Sequence, residues 1–265
     1  MRRQQRIAVF VCMLLLGSSV STAQDRVSWQ RIFNKQQTQT YVRTTMFSNN
    51  ALRALRQRQG RGVRVSSGGS SRWPVTAGAS GSRSNGSTPN TASSTASGAT
   101  TFRSASATIV PQQMAAEIAE NASDRREMQA FFTQCLQNYE ANMRRQRQPV
   151  KDVARALSYL IGVSYNVYHG GNVLTAGQGA ALRAEVRDAL GSDADFQRMS
   201  DREKQQIYES LAVMAEYVAF GADVAAQKGN RELAEMAREM AKDNLEKLLG
   251  TSVNNIRVSD NGLEF

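Results

Sequence analysis

The sequence predicts an all-α protein: a single helical bundle-like domain of about five to six helices, preceded by a disordered low-complexity linker and closed by a short C-terminal hairpin. Three observations carry this reading. From Pro111 onward, apolar residues recur at the three- and four-residue spacing of a helix face. Capping and stop residues punctuate that pattern at regular intervals. Upstream, residues 66–107 are almost entirely Ser, Thr, Gly and Ala, with Trp73-Pro74 and Phe102 as the sizeable apolar features. Such a stretch buries too little apolar surface to offset the entropy of ordering, so it reads as a flexible spacer.

The elements follow in chain order. A first helix is expected over Gln112 to Ala122, and Ser123-Asp124 supplies the next start signal. Met128, Phe131, Phe132, Cys135, Leu136, Tyr139 and Met143 then form one stripe, ending in Arg144-Arg145-Gln146-Arg147, where positive charge suits a helix C-terminus. Pro149 is expected to open a third helix as its first residue, with Val153, Leu157, Leu160, Ile161, Val167 and Tyr168 inward and Gly170-Gly171 as the stop. Thr175-x-x-Gln178 has capping-box form before a helix bearing Leu182, Val186 and Leu190, which Gly191 would close. Ser200-x-x-Glu203 opens a long helix with Ile207, Tyr208, Leu211, Ala215 and Val218 inward, ended by Lys228-Gly229. Asn230 caps the last helix, whose core face is Leu233, Met236, Met240, Leu245, Leu248 and Leu249, with Gly250 behind it. Ile256 and Val258, then Asp260-Asn261-Gly262, then Leu263 and Phe265 have the alternation and turn chemistry of a small hairpin. This body, residues 108–265, is large enough to bury roughly two-thirds of its unfolded surface.

The beginning of the chain reads as an address. Arg2, Arg3 and Arg6 precede an apolar run from Ile7 to Leu16, and Ser21-Thr22-Ala23 offers the small residues a signal peptidase requires. The run is about half of the ~20 residues needed to span a bilayer. Residues 1–23 are therefore expected to be a cleaved export signal, leaving a periplasmic or secreted protein with no transmembrane segment. Cleavage removes Cys12 and leaves Cys135 alone, so no intramolecular disulfide is expected. Its neighbours on the helical stripe make Cys135 a packed thiol.

Charge divides the remainder. Residues 24–107 hold twelve Lys or Arg against the single acid Asp25, whereas residues 108–265 carry a net charge of −4. Residues 24–65 form a basic arm, mostly disordered, with short helices suggested by Trp29, Ile32 and Phe33 and by Leu52 and Leu55. Arg53, Arg56, Arg58, Arg61 and Arg64 are its candidate anion-binding residues, and a polyanion or a membrane surface is the matching partner. Nucleic-acid binding has no recognisable module behind it.

Chemistry is sparse. The one histidine, His169, lies at a helix end near Tyr165, Tyr168 and Asn172. A C-capping histidine is the ordinary explanation, and a catalytic cleft of His169, Tyr165 and Tyr168 is the alternative. No Gly-x-Ser-x-Gly accompanies it. A di-iron bundle site would need Glu where Asn166 stands. Asp193-Ala194-Asp195 starts like a calcium loop but has Arg198 and Lys204 at the sixth and twelfth positions. No metal and no cofactor is implied. Glu209, Glu216 and Asp223 recur every seven residues, and Glu232, Glu235 and Glu239 line another helix; solvated faces are the expectation for both sets.

The segments PVKDVARALSYLIGVSYNVY from Pro149 and MSDREKQQIYESLAVMAEY from Met199 resemble an uncharacterised family of secreted bacterial proteins, domain of unknown function 6683. Its most recognisable parts are Asp152-Val153-Ala154-Arg155-Ala156 and the run from Glu203 to Glu209. The resemblance implies an exported helical domain behind variable low-complexity sequence, and it brings no activity or catalytic residue with it. The expected function is a non-catalytic cell-envelope interaction module, binding an anionic envelope component or a protein partner. An envelope enzyme at His169 and a polyanion or membrane-surface binder acting through the arm are the alternatives.

Overall fold

The computed structural model describes residues 98–104, 107–171 and 173–265. The expected export signal, the basic arm with Arg53, Arg56, Arg58, Arg61 and Arg64, and most of the spacer lie outside the described residues. Seven helices run in order: α1 (Val110–Ile118), α2 (Ala122–Arg145), α3 (Val153–Tyr168), α4 (Ala176–Ser192), α5 (Ala194–Arg198), α6 (Asp201–Lys228) and α7 (Arg231–Leu249). A 3-10 turn at Val253–Asn255 leads into strands β1 (Arg257–Ser259) and β2 (Gly262–Glu264). The two strands pair antiparallel, with Val258 opposite Leu263. The all-α bundle and the terminal hairpin stand as the periodicity predicts.

The 28-residue α6 is the centre of the bundle, packing against α1, α2, α3 and α7. α3 lies between α6, α7 and α4, and the hairpin rests on α4. The apolar stripe of α2 from Met128 to Met143 is buried throughout, with Cys135 inside it. Burial raises the Cys135 thiol well above its ordinary pKa, so the packed-thiol expectation holds. Phe131 and Phe132 meet Tyr217 of α6, and Tyr139 meets Tyr159 and Tyr208, in tilted and edge-on ring contacts. These contacts add to area burial by about 1 kcal/mol each.

Local signals account for most helix ends. Thr175 and Ser200 form the capping boxes with Gln178 and Glu203, and Asn230 accepts the Leu233 N–H at the start of α7. Gly229 and Gly250 close α6 and α7 at φ +61° and +71°, the left-handed conformation that favours glycine.

Four boundaries differ from the sequence reading. α1 begins at Val110 and ends at Ile118, because Asn121 takes the Ser123 and Asp124 N–H groups and starts α2 earlier. α3 begins at Val153 rather than at Pro149, because Asp152 accepts from the Ala154 and Arg155 N–H groups. α4 runs past Gly191 to Ser192. Asp193 then caps the additional short helix α5 by accepting from Phe196, whose ring is fully buried.

The end of the spacer joins the packing. Thr100 Oγ1 donates to Asp152 at 2.8 Å, the Phe102 N–H donates to the Lys151 carbonyl, and the Phe102 ring meets Tyr208 edge-on. α1 is held by a longer-range contact. Ile109, its N-cap, offers no capping side chain, and Glu209 of α6 accepts from the Ile109 and Val110 N–H groups at 2.8 Å each. Gln205 donates to the other Glu209 oxygen and to the Ala107 carbonyl.

Glu209→Ala should lower the unfolding free energy by about 2–4 kcal/mol, since two helix N–H groups and a buried amide lose a charged acceptor. Urea unfolding of the full chain followed by far-UV circular dichroism measures this. Glu209→Gln, which keeps one acceptor oxygen, should fall between wild type and alanine.

Candidate functional site

α3 ends in a run of rings because its last turn reads Tyr165-Asn166-Val167-Tyr168-His169. His169 is the C-cap, its N–H donating to the Tyr165 carbonyl at 3.1 Å. Its ring lies 4.4 Å from the Tyr165 centroid and 5.1 Å from that of Tyr168, the latter edge-on. Asn166 Oδ1 accepts from the Val173 and Leu174 N–H groups, which fixes the descent from α3 into α4.

The three rings form one wall of an open depression of about 520 Å³. Gln178, Asn254, Arg257, Asp260 and Glu264 also line it, with Val253, Ile256 and Val258 buried at its apolar edge. A second depression of about 590 Å³ adjoins it, sharing Tyr168, Val253 and Asn254, and carries Glu235, Arg238, Glu239, Lys242 and Glu246 of α7. Tyr168 stands on the divide, its hydroxyl donating to Asn254 Oδ1 at 3.4 Å and its ring facing the Arg238 guanidinium at 5.1 Å. The hairpin is seated beside them by Glu185 of α4, which accepts from the Leu263 N–H at 2.6 Å. Gly262, at φ +112°, leaves the space that the Glu185 carboxylate fills.

Tyr165, Tyr168 and His169 are thus brought together as their spacing predicts, while Asn172 lies outside the described residues. The wall opposite them runs from Val253 to Glu264. No local signal in the sequence connects it to α3.

The heptad acids need a correction. Glu209 is only 3% exposed, and it is an internal cap rather than part of a solvated face. Glu216, one heptad later, is half-buried between helices and accepts from the Tyr159 hydroxyl at 2.9 Å. Asn142 of α2 donates to the same Tyr159 oxygen at 3.3 Å. Asp223 is exposed as expected. Among the described residues no group of three or more His, Cys, Asp or Glu is placed to hold a metal ion, and no helix is long and apolar enough to cross a membrane.

The model of a family of unknown function, DUF6683, matches residues 3–265. The chain belongs to that family. No curated protein and no solved structure matches it. The DUF6683 assignment therefore places the whole bundle, with its hairpin and the preceding basic sequence, within one family and adds no activity to the site.

Glu216 makes the bundle sensitive to pH. Burial, and secondarily the charge of Asp223, push its carboxyl up to about 7, although the Tyr159 hydrogen bond and Arg145 favour the ionised form. The folded chain thus keeps a proton on Glu216 that the unfolded chain releases near its ordinary value of 4.5. Glu216 should cost stability progressively as pH rises from about 4.5 to about 7, by roughly 3 kcal/mol at most, with no further loss above that range. Urea midpoints across this window should fall for wild type and stay flatter for Glu216→Gln.

Proposed function

We propose that this chain is a non-catalytic interaction module that works after export in the cell envelope. Its helical body engages a protein partner along the paired depressions at Tyr168, and its basic arm contacts an anionic envelope component. The observation that carries the reading is the shape and lining of those depressions. They are open, they adjoin, and they are edged by rings together with charges of both signs. Large apolar rings with adaptable amides and charges around them suit a polypeptide surface better than a small substrate. β1 runs along the wall of the first depression, and β2 is its sole pairing partner among the described residues. An extended segment can add its main chain to such a strand.

The competing reading is an envelope enzyme using His169 as a general base. A base needs a partner that orients its ring. Among the described residues His169 makes ring contacts and a backbone cap, and no carboxylate hydrogen-bonds to its imidazole.

A photo-crosslinking side chain at position 168 or 259, introduced into the full chain in the producing cell, should yield a protease-sensitive adduct. The same group at the exposed position 127 should not. Adducts of equal yield at all three positions, or substrate turnover lost in His169→Ala, would reject the body's assignment.

The arm is tested separately. Deleting residues 24–65 should remove most salt-sensitive co-sedimentation with phosphatidylglycerol vesicles, because electrostatic attraction to a lipid surface scales with its basic residues. Undiminished binding by the deleted protein would reject the arm as the anion contact.

A further inference from the structure

Arg-Val-Ser occurs three times in the chain, at Arg26-Val27-Ser28, Arg64-Val65-Ser66 and Arg257-Val258-Ser259. The third copy is β1 itself. With Val63 before it, the second copy repeats the alternation of Ile256-Arg257-Val258-Ser259, in which both aliphatic residues are buried and Arg257 is exposed. Gly62 precedes it and Gly68-Gly69 follows, so four alternating residues are set off by chain breakers, the signature of a short strand. The first copy lacks that frame, with Asp25 ahead of it and Trp29 behind.

The register of the hairpin defines the edge such a segment would meet. Val258 stands opposite Leu263, and the Leu263 N–H points out of the hairpin to Glu185. The pair is therefore the non-hydrogen-bonded kind, and Val258 turns its own N–H and carbonyl away from β2. Among the described residues neither group has a hydrogen-bond partner. β1 lines the depression across from Tyr165 and Tyr168 through Arg257, Val258 and Ser259. Asp260 and Glu264, exposed on the same wall, carry no ion pair among the described residues.

We propose that residues 63–66 of the same chain add to β1 as a third, antiparallel strand with Val65 opposite Val258. The pairing rests on β1 being an edge that accepts an extended segment, as proposed above, and names that segment. In this register the main chain of Val65 bonds both outward groups of Val258, and the Val65 side chain joins the buried face. Arg64 falls opposite Ser259, one residue from Asp260, and Ser66 falls opposite Arg257. An in-register parallel strand would set Arg64 beside Arg257, and like charges directly opposed are destabilising.

Four residues pair weakly by themselves, so the tether decides the outcome. The described chain enters at Thr100, bonded to Asp152 just before α3, and the depression lies at the other end of α3. The 16 residues of α3 span about 24 Å. A Gly- and Ser-rich chain of the length of residues 67–97 has a root-mean-square span of roughly 30 Å, which matches that distance. A matched tether holds its segment at about millimolar effective concentration, enough to fill the edge with a contact that would be negligible between separate chains. The segment then occupies the place of a partner's extended chain, and a partner must displace it.

The test is residue-resolved amide hydrogen exchange on the purified full chain, followed by NMR. The Val258 amide should exchange about tenfold more slowly in wild type than in Val65→Pro, which removes the opposing N–H and breaks the ladder. Val27→Pro, in the first copy, should leave the rate within about twofold of wild type. Protection should be constant over a roughly twentyfold range of protein concentration, as an intramolecular contact requires. Equal exchange in wild type and Val65→Pro, an equal loss in Val27→Pro, or protection that grows with concentration would overturn the pairing. Unchanged exchange in α6 shows that the body stays folded in both variants. No partner is present in this measurement, so its failure leaves the photo-crosslinking test of the partner site standing, and the reverse.

Discussion

Glu209 reaches from the middle of α6 to the two N–H groups that begin α1, and the bundle's first helix depends on that contact. α1 is nine residues long, shorter than a helix that persists alone in water, and its own N-cap residue is an isoleucine. It can end in the core only if its opening donors are satisfied there. The same carboxylate draws in Gln205, which in turn holds the Ala107 carbonyl, so one turn of α6 orders the chain entry on three sides. Asp152 does comparable work at the start of α3, fixing Thr100 and the helix N–H groups together. Two buried carboxylates thereby stitch the front of the domain to its centre.

This explains what was legible in the sequence and what was not. Ser200-x-x-Glu203, Thr175-x-x-Gln178, Asn230 and Gly250 act within a few residues of themselves, so each boundary could be read where it stands. The stripe from Met128 to Met143 was legible for the same reason, since burial follows directly from helical spacing. Glu209 was not. A carboxylate every seventh residue has the same pattern whether its face meets water or another helix, and its partners lie about a hundred positions away. Pro149 misled because proline at a first helical position is common, whereas here Asp152 supplies the stronger local signal three residues later. The rings of Tyr165, Tyr168 and His169 share one helical turn and were legible together. Their opposite wall is built by a hairpin some ninety residues downstream and could not be joined to them without the fold.

Glu216 shows the other side of the same packing. Its position in α6 is dictated by the helix period, and α2 and α3 close over it with Asn142 and Tyr159. A single hydroxyl donor does not replace the hydration a carboxylate loses, so the proton remains on it to near neutrality. Glu209, with three donors, has the acceptor bonds that Glu216 lacks. Two acids one heptad apart on one helix are therefore held in different ways, one by helix N–H groups and one by a phenol. The difference lies in what the neighbouring helices offer, not in α6.

Elsewhere the body follows local rules closely, and that makes its exceptions informative. Caps, glycine stops and apolar stripes agree with the fold at nearly every boundary. The departures are left-handed Arg147 and Lys151, a cation in the first turn of α3, and two arginines one turn apart on α4. Each costs the folded state a fraction of a kcal/mol to about 1 kcal/mol.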